Sequence, residues 1–231
     1  MSDNIELRVG STAIKNWLSY TIEADIYTAD DAFSLELAHP ETEVTKGKRC
    51  ELYVNGTLEL TGIIDRVSKS YDKSGQKLRV EGRDLMGLIV DSYCEEFFTL
   101  QGTTVKSLAE RLLSPIPFIN REKIIYQEDF AGRLKKKGKA SGESSLNLID
   151  APHNFSQIEP GMTVFEALKQ YSASRGMMFF CLPDGTFVFG KPREKGTPLY
   201  KIVCTREGKE NNVLEGEKIE DISKQYSKIT V

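Results

Sequence analysis

The chain has 231 residues, and its 31 basic and 34 acidic side chains give a formal net charge of −3. This near-neutral balance argues against a general surface for polyanions such as nucleic acid. Apolar residues make up 39% of the chain, enough for one large domain or two to three small ones. The longest apolar run, Met177 to Leu182, is far shorter than the roughly 20 residues that cross a bilayer, so no membrane span is predicted.

Residues that usually bind metals or carry nucleophilic catalysis are few. The four cysteines are far apart and form no CxxC pair, which predicts buried reduced thiols. Because His39 and His153 are the only histidines, a site of three histidines cannot form within one chain. The adjacent carboxylates Glu95-Glu96 and Glu128-Asp129 would point to opposite faces of a strand, which disfavours a glycosidase pair. The sequence therefore predicts no enzyme, metal or cofactor.

From Ile5 to about Val90, apolar and polar residues alternate, which indicates half-buried antiparallel strands. Asn55-Gly56 lies between two such runs and predicts a type I′ hairpin turn. A second hairpin is expected around residues 72–75. Five or six strands in this block predict a small barrel or sandwich.

Gly82-Arg83-Asp84 follows the last of these strands and precedes an apolar segment. We expect Asp84 to cap a short helix, Leu85 to Val90, and Arg83 to pair with a carboxylate. The triplet is too short to be a phosphate-binding loop, so it is interpreted as a structural strand exit.

Two helices are predicted further along the chain. Val105 to Leu113 has helical spacing, and Thr163 with Glu166 forms a capping-box pattern before a second helix. Both follow Gly-x-Thr-Val, at Gly102 and Gly161, so the two segments are either a duplicated unit or helices with the same cap. The second explanation is favoured. A hairpin after Gly176 should pack on the second helix.

Two segments of the chain, residues 132–145 and 207–221, are strongly charged. A glycine-rich stretch, residues 132–145, carries a basic cluster that predicts a solvated mobile loop, with polyanion contact as the alternative. Its cations are Arg133, Lys135, Lys136, Lys137 and Lys139. Residues 207–221 hold six carboxylates against two lysines, and residues 222–231 resemble the start of a strand. Because the sequence would stop within this strand and leave its edge without a partner, we expect a fragment of a longer protein.

Four segments in this order resemble the baseplate hub proteins of Mu-like contractile-tail bacteriophages, the late control protein D-like family. They are the N-terminal strands with Trp17 and Phe33-Ser34-Leu35, Val80 to Ser92, Pro160 to Val164, and Asp221 to Val231. The resemblance implies a homotrimer that joins the tail tube protein to the central spike protein, with DNA passing through the ring without specific binding. It also implies assembly in the bacterial host cytoplasm and a place in the virion baseplate.

The predicted fold class is α+β and mainly β. A barrel-like domain would span residues 1–95, a helix and basic loop 96–160, a helix with a hairpin 161–190, and the start of a second barrel 191–231. Two alternatives stay open: a spike-hub protein of a type VI-like secretion system, and a hub-associated cell-wall hydrolase.

Overall fold

The structure is a computed structural model. It describes residues 3–25, 28–38, 43–73, 75–95, 98–99, 102–127, 133–134, 146–147, 157–190, 201–208, 211–213 and 217. The chain divides into two compact units, Met1–Pro192 and Arg193–Val231. Strands dominate the described residues and three α-helices accompany them, so the predicted α+β, mainly β class is confirmed.

The first unit contains a seven-stranded antiparallel sheet with the order β2-β1-β5-β6-β7-β4-β3. Its strands are β1 (Ile5–Val9), β2 (Thr12–Ile14), β3 (Ser19–Glu23), β4 (Ala32–Ala38), β5 (Arg49–Val54), β6 (Thr57–Asp72) and β7 (Gly75–Asp84). The sequence predicted five or six strands, whereas the sheet has seven, because the short β2 was not predicted. A strand of three residues is too brief to show an alternating pattern.

The sheet must curl, because its two outermost strands are neighbours in sequence. Only Lys15 to Leu18 connect β2 to β3. If the seven strands lay flat, about 4.8 Å apart, the outer two would be separated by about 29 Å. A four-residue link spans at most about 18 Å. The expected barrel is therefore an open one, in which strand pairing does not join β2 to β3.

Side chains close the seam between β2 and β3. The indole Nε1 of Trp17 donates to the carbonyl of Ile14 at 3.1 Å. At the carboxylate of Asp3, Oδ2 accepts from the Tyr20 hydroxyl at 2.6 Å and Oδ1 accepts from the amide of Asn55 at 2.8 Å. These contacts connect β3 to the β1 and β5 side of the curled sheet.

The curled sheet encloses one apolar core, whose most buried members include Leu7, Leu35, Leu52, Ile64, Leu78 and Val80. Tight turns set the strand register around it. Asn55 and Gly56 both have positive φ, 51° and 83°, as a type I′ turn requires.

A second core lies beneath three helices and a small sheet. The helices are α1 (Leu85–Asp91), α2 (Val105–Leu113) and α3 (Val164–Ser174), and the sheet pairs β13 (Met178–Cys181), β14 (Phe187–Gly190) and β9 (Ile125–Tyr126). Phe179 and Phe189 stack at its centre with ring centroids 4.5 Å apart. Short pairs join β8 (Phe98–Thr99) to β12 (Gln157–Ile158) and β10 (Arg133–Leu134) to β11 (Leu146–Asn147), and residues Arg121–Lys123 form a 3-10 turn.

The second unit is described over residues 201–208, 211–213 and 217, which carry no helix or strand. The backbone N–H of Asn212 donates to the carbonyl of Val203 at 3.1 Å, and the Asn212 side chain accepts from the Val203 N–H at 2.7 Å. The predicted terminal strand, residues 222–231, lies outside the described residues. The second barrel stays a prediction.

Candidate functional site

Gly82 lies where β6 and β7 approach too closely for a side chain. A Cβ at this position would be 2.3 Å from the carbonyl oxygen of Ile63 and 2.7 Å from the ring of Phe33. Gly62 on β6 pairs with Asp84 on β7 and is equally confined, because a Cβ on Gly62 would be 1.9 Å from the carbonyl oxygen of Arg83. Gly62 and Gly82 therefore permit the backbones of β6 and β7 to approach closely at the end of β7.

Arg83 connects three separate elements through its guanidinium group. Nε donates to Asp65 on β6 at 2.8 Å, Nη1 to Asp30 in the loop before β4 at 3.2 Å, and Nη2 to Asp91 at the end of α1 at 2.5 Å. The carboxylates of Asp91 and Asp65 hold the pKa of Arg83 above its ordinary value. The charged group is thus fixed to α1 and to the curled sheet at once.

Gly87 makes room for this arginine on the surface of α1. A Cβ at Gly87 would be 3.1 Å from both Cβ and Nε of the Arg83 side chain. Gly87 follows Arg83 by four positions, so Gly-Arg-Asp-x-x-Gly describes a strand exit with a place for the arginine on the helix.

Asp84 is the N-cap residue of α1, and its carboxylate accepts from the backbone N–H of Met86 at 3.0 Å. Its own N–H donates to the carbonyl of Asp31 at 2.9 Å. Only 7% of Asp84 is exposed, and burial, followed by the nearby Asp31 carboxylate, raises its pKa to about 7. Burial also raises the pKa of Asp31. Asp84 is therefore a buried carboxyl group with a raised pKa, at the point where β7 ends and α1 begins.

The predicted capping box occupies the start of α3. Thr163 accepts from the N–H of Glu166 at 3.0 Å, and the Glu166 carboxylate accepts from the N–H of Thr163 at 2.9 Å. Thr163 also forms an isolated bridge with Tyr93, just after α1. At α2, Thr104 makes the equivalent box with Ser107. The bridge between Tyr93 and Thr163 therefore ties the start of α3 to the segment that follows α1.

Sequence reasoning missed the three carboxylates around Arg83. Asp30, Asp65 and Asp91 are 53, 18 and 8 positions away, so no local spacing marks them. The lysines of the predicted polyanion contact, Lys135, Lys136, Lys137 and Lys139, lie outside the described residues. The same holds for His39, His153, Glu96 and the Glu128-Asp129 pair. No helix among the described residues is long and apolar enough to cross a membrane.

The arrangement around Gly82, Arg83 and Asp84 is suited to holding two packed layers together. It fixes α1 to the end of β7 through a close backbone approach, an arginine shared by three carboxylates, and a helix cap. These contacts join the curled antiparallel sheet to the helical layer.

Comparisons with known proteins find similarity to phage tail proteins. Residues 4–84 match the family model "Mu phage baseplate assembly protein GpP-like, N-terminal". The chain is 23% identical over 238 residues to baseplate hub protein gp44 of Escherichia phage Mu, a match covering 100% of this chain and 55% of that protein. The predicted resemblance to Mu-like baseplate and tail proteins is therefore confirmed.

Two solved structures have the same fold. The tail protein from Neisseria meningitidis MC58 superposes with a TM-score of 0.75 and 26% identity, over 98% of this chain and 62% of that one. The 43 kDa tail protein of prophage MuSo2 from Shewanella oneidensis gives a TM-score of 0.65 and 22% identity, over 85% of this chain and 55% of that one. The chain thus spans little more than half the length of these relatives.

Proposed function

We propose that this chain is part of the baseplate hub of a phage or prophage contractile tail. The hub would be a homotrimeric adaptor that joins the tail tube to the central spike, and DNA would pass through it without specific binding. The observation that carries the proposal is the similarity to the Mu baseplate hub protein, which extends over the whole chain. The fold shared with the Neisseria tail protein supports it.

The seam of the curled sheet supports self-association. Among the residues that the structure describes, no strand pairs with the outer edges of β2 and β3. Tyr20 and Ile22 of β3 face the apolar core, yet Tyr20 remains 37% exposed because the sheet ends there. Unpaired strand edges favour pairing with another chain, and cyclic symmetry closes such contacts without continued growth.

The mass of the purified chain in solution tests this proposal. We expect light scattering behind size exclusion to give three times 26.0 kDa, independent of concentration. Ser19→Lys with Thr21→Lys would place two ammonium groups along the β3 edge and should shift the mass to one chain. The control is Thr57→Lys, which is also an exposed position but lies on β6, inside the sheet order, and should stay trimeric. A monomer for the unmodified chain would contradict the view that residues 1–231 contain the trimer interface.

We also propose that the role is structural rather than catalytic. The relatives are named as baseplate and tail proteins, which supports this view. A peptidoglycan zymogram tests it directly. A cleared band at the mass of the chain would favour the hub-associated hydrolase instead.

A further inference from the structure

A groove of about 630 Å³ lies beside the turn between β1 and β2. It is two strands from the Arg83 junction, because Arg49 in its lining pairs with Ile63, and Ile63 pairs with Arg83. One wall comes from Arg8 to Ser11 and from Lys48 to Glu51 at the start of β5. The other wall is Phe118, in the segment between α2 and β9. The groove therefore lies where the curled sheet meets the helical layer.

Arg8, Lys48 and Arg49 line this groove, and Lys46 lies two positions before Lys48 in the chain. Arg8 forms an ion pair with Glu6. Lys46 and Lys48 are exposed, and neither ammonium group forms an ion pair within the described part of the chain. Arg49 is held loosely by Glu51, with 3.7 Å between Nη2 and Oε1. Lys46 and Lys48 flank Gly47 in the turn that precedes β5, so two cations lie close together in a chain that is acidic overall.

Phe118 is unusual in both exposure and backbone conformation. It is 51% exposed, and its φ of 66° lies in the left-handed region that bulky side chains avoid. It follows Pro117, at the kind of position where a type II turn normally has glycine or asparagine. Strained residues of this kind concentrate at functional sites. The chain therefore retains an aromatic ring in the same groove as Lys48, at a cost in backbone energy.

The acidic residues of the groove indicate what kind of partner fits. Glu43 and Glu51 also line it. They would repel a phosphodiester backbone, which carries a charge at every nucleotide. A peptide can instead place carboxylates near the lysines, N–H donors near Glu43, and an apolar side chain against the ring.

We propose that this groove is a docking site for an acidic protein segment that also carries an apolar side chain. The carboxylates would pair with Lys46 and Lys48, and the apolar group would pack against Phe118. The proposal goes beyond the trimeric hub and holds whether or not the chain self-associates.

Fluorescence anisotropy with a labelled synthetic peptide tests the proposal on the full chain. The probe has the sequence of residues 207–221, EGKENNVLEGEKIED, because it combines six carboxylates with three apolar side chains. We expect saturable binding that weakens at least about tenfold when salt rises from about 50 to 300 mM. The same peptide with all six carboxylates replaced by amides should not bind.

Variants of the protein locate the binding site. Lys46→Glu with Lys48→Glu should weaken binding at least about tenfold. The control is Lys69→Glu with Lys73→Glu, two exposed lysines at the far end of the β6–β7 hairpin, which should bind normally. Phe118→Gly removes the ring and relieves the strained φ, so it should weaken binding while the melting temperature stays equal or rises.

Several results would overturn the docking site. They are no peptide binding up to about 1 mM, equal binding of the amidated peptide, equal effects of the two lysine pairs, and tighter binding of a single-stranded oligothymidylate of similar length. A fall in melting temperature for Phe118→Gly would show that the ring serves the fold instead.

Discussion

Replacing Gly82 with alanine would force a methyl group into the ladder between β6 and β7. The new Cβ would lie 2.3 Å from the carbonyl oxygen of Ile63 and 2.7 Å from the ring of Phe33, which is only 3% exposed. Ordinary contacts are about 3.5 Å, so the strands must part by about 1 Å. A movement of that size breaks hydrogen bonds, whose normal length is about 2.9 Å.

The expected loss follows from these contacts. Two ladder hydrogen bonds contribute about 2 kcal/mol together, and displacing a packed ring costs about 1–3 kcal/mol. Replacing a strand glycine by alanine returns about 0.5–1 kcal/mol of backbone entropy. We therefore expect Gly82→Ala to lower the free energy of unfolding by about 2–4 kcal/mol and the melting temperature by roughly 5–15 °C.

Thermal and urea unfolding followed by circular dichroism measure this effect. The matched control is Lys77→Ala, which removes a partly exposed side chain from the same strand and should cost less than about 0.5 kcal/mol. If Gly82→Ala loses no more than this control, the close approach of β6 and β7 does not constrain the protein and the reasoning is refuted.

Two further predictions concern the neighbouring residues. Because burial raises the folded-state pKa of Asp84 to about 7 from 3.8, its protonated form stabilises the fold below about pH 4, and this contribution is lost as pH rises to about 7. Asp84→Asn should therefore flatten the dependence of melting temperature on pH between 4 and 7, and an unchanged slope would contradict the assignment. Arg83→Lys cannot keep the forked contacts to Asp65 and Asp91 and should cost about 1–2 kcal/mol in urea unfolding. Arg66→Lys is the control, since its single 3.8 Å ion pair is exposed and should contribute almost nothing; equal losses would argue against a special role for Arg83.

Features within a few residues of one another were accessible from the sequence. The Asn55-Gly56 turn and the capping box of Thr163 and Glu166 depend on contacts over one to three positions, which residue types reveal directly. The helix from Val105 to Leu113 was equally plain, because its apolar residues repeat at helical spacing.

Features that depend on distant parts of the chain were not accessible. Nothing near Arg83 indicates that Asp30 and Asp65 lie beside it, because strand pairing alone brings them together. The confinement of Gly62 and Gly82 likewise appears only once β6 and β7 are in register. Phe118 could not be distinguished from an ordinary loop aromatic, since its residue type gives no indication of a positive φ.

The order of strands in the curled sheet has a consequence for synthesis on the ribosome. Leu7 of β1 pairs with Leu52 and Leu35 of β4 pairs with Val80, 45 positions apart in both cases. Such long separations slow folding, because a large loop must close before the contacts form. The sheet cannot be completed until β7 has left the ribosomal exit tunnel. A nascent chain that stops earlier leaves the inner face of β4 exposed to water, where it is a target for chaperones and for aggregation.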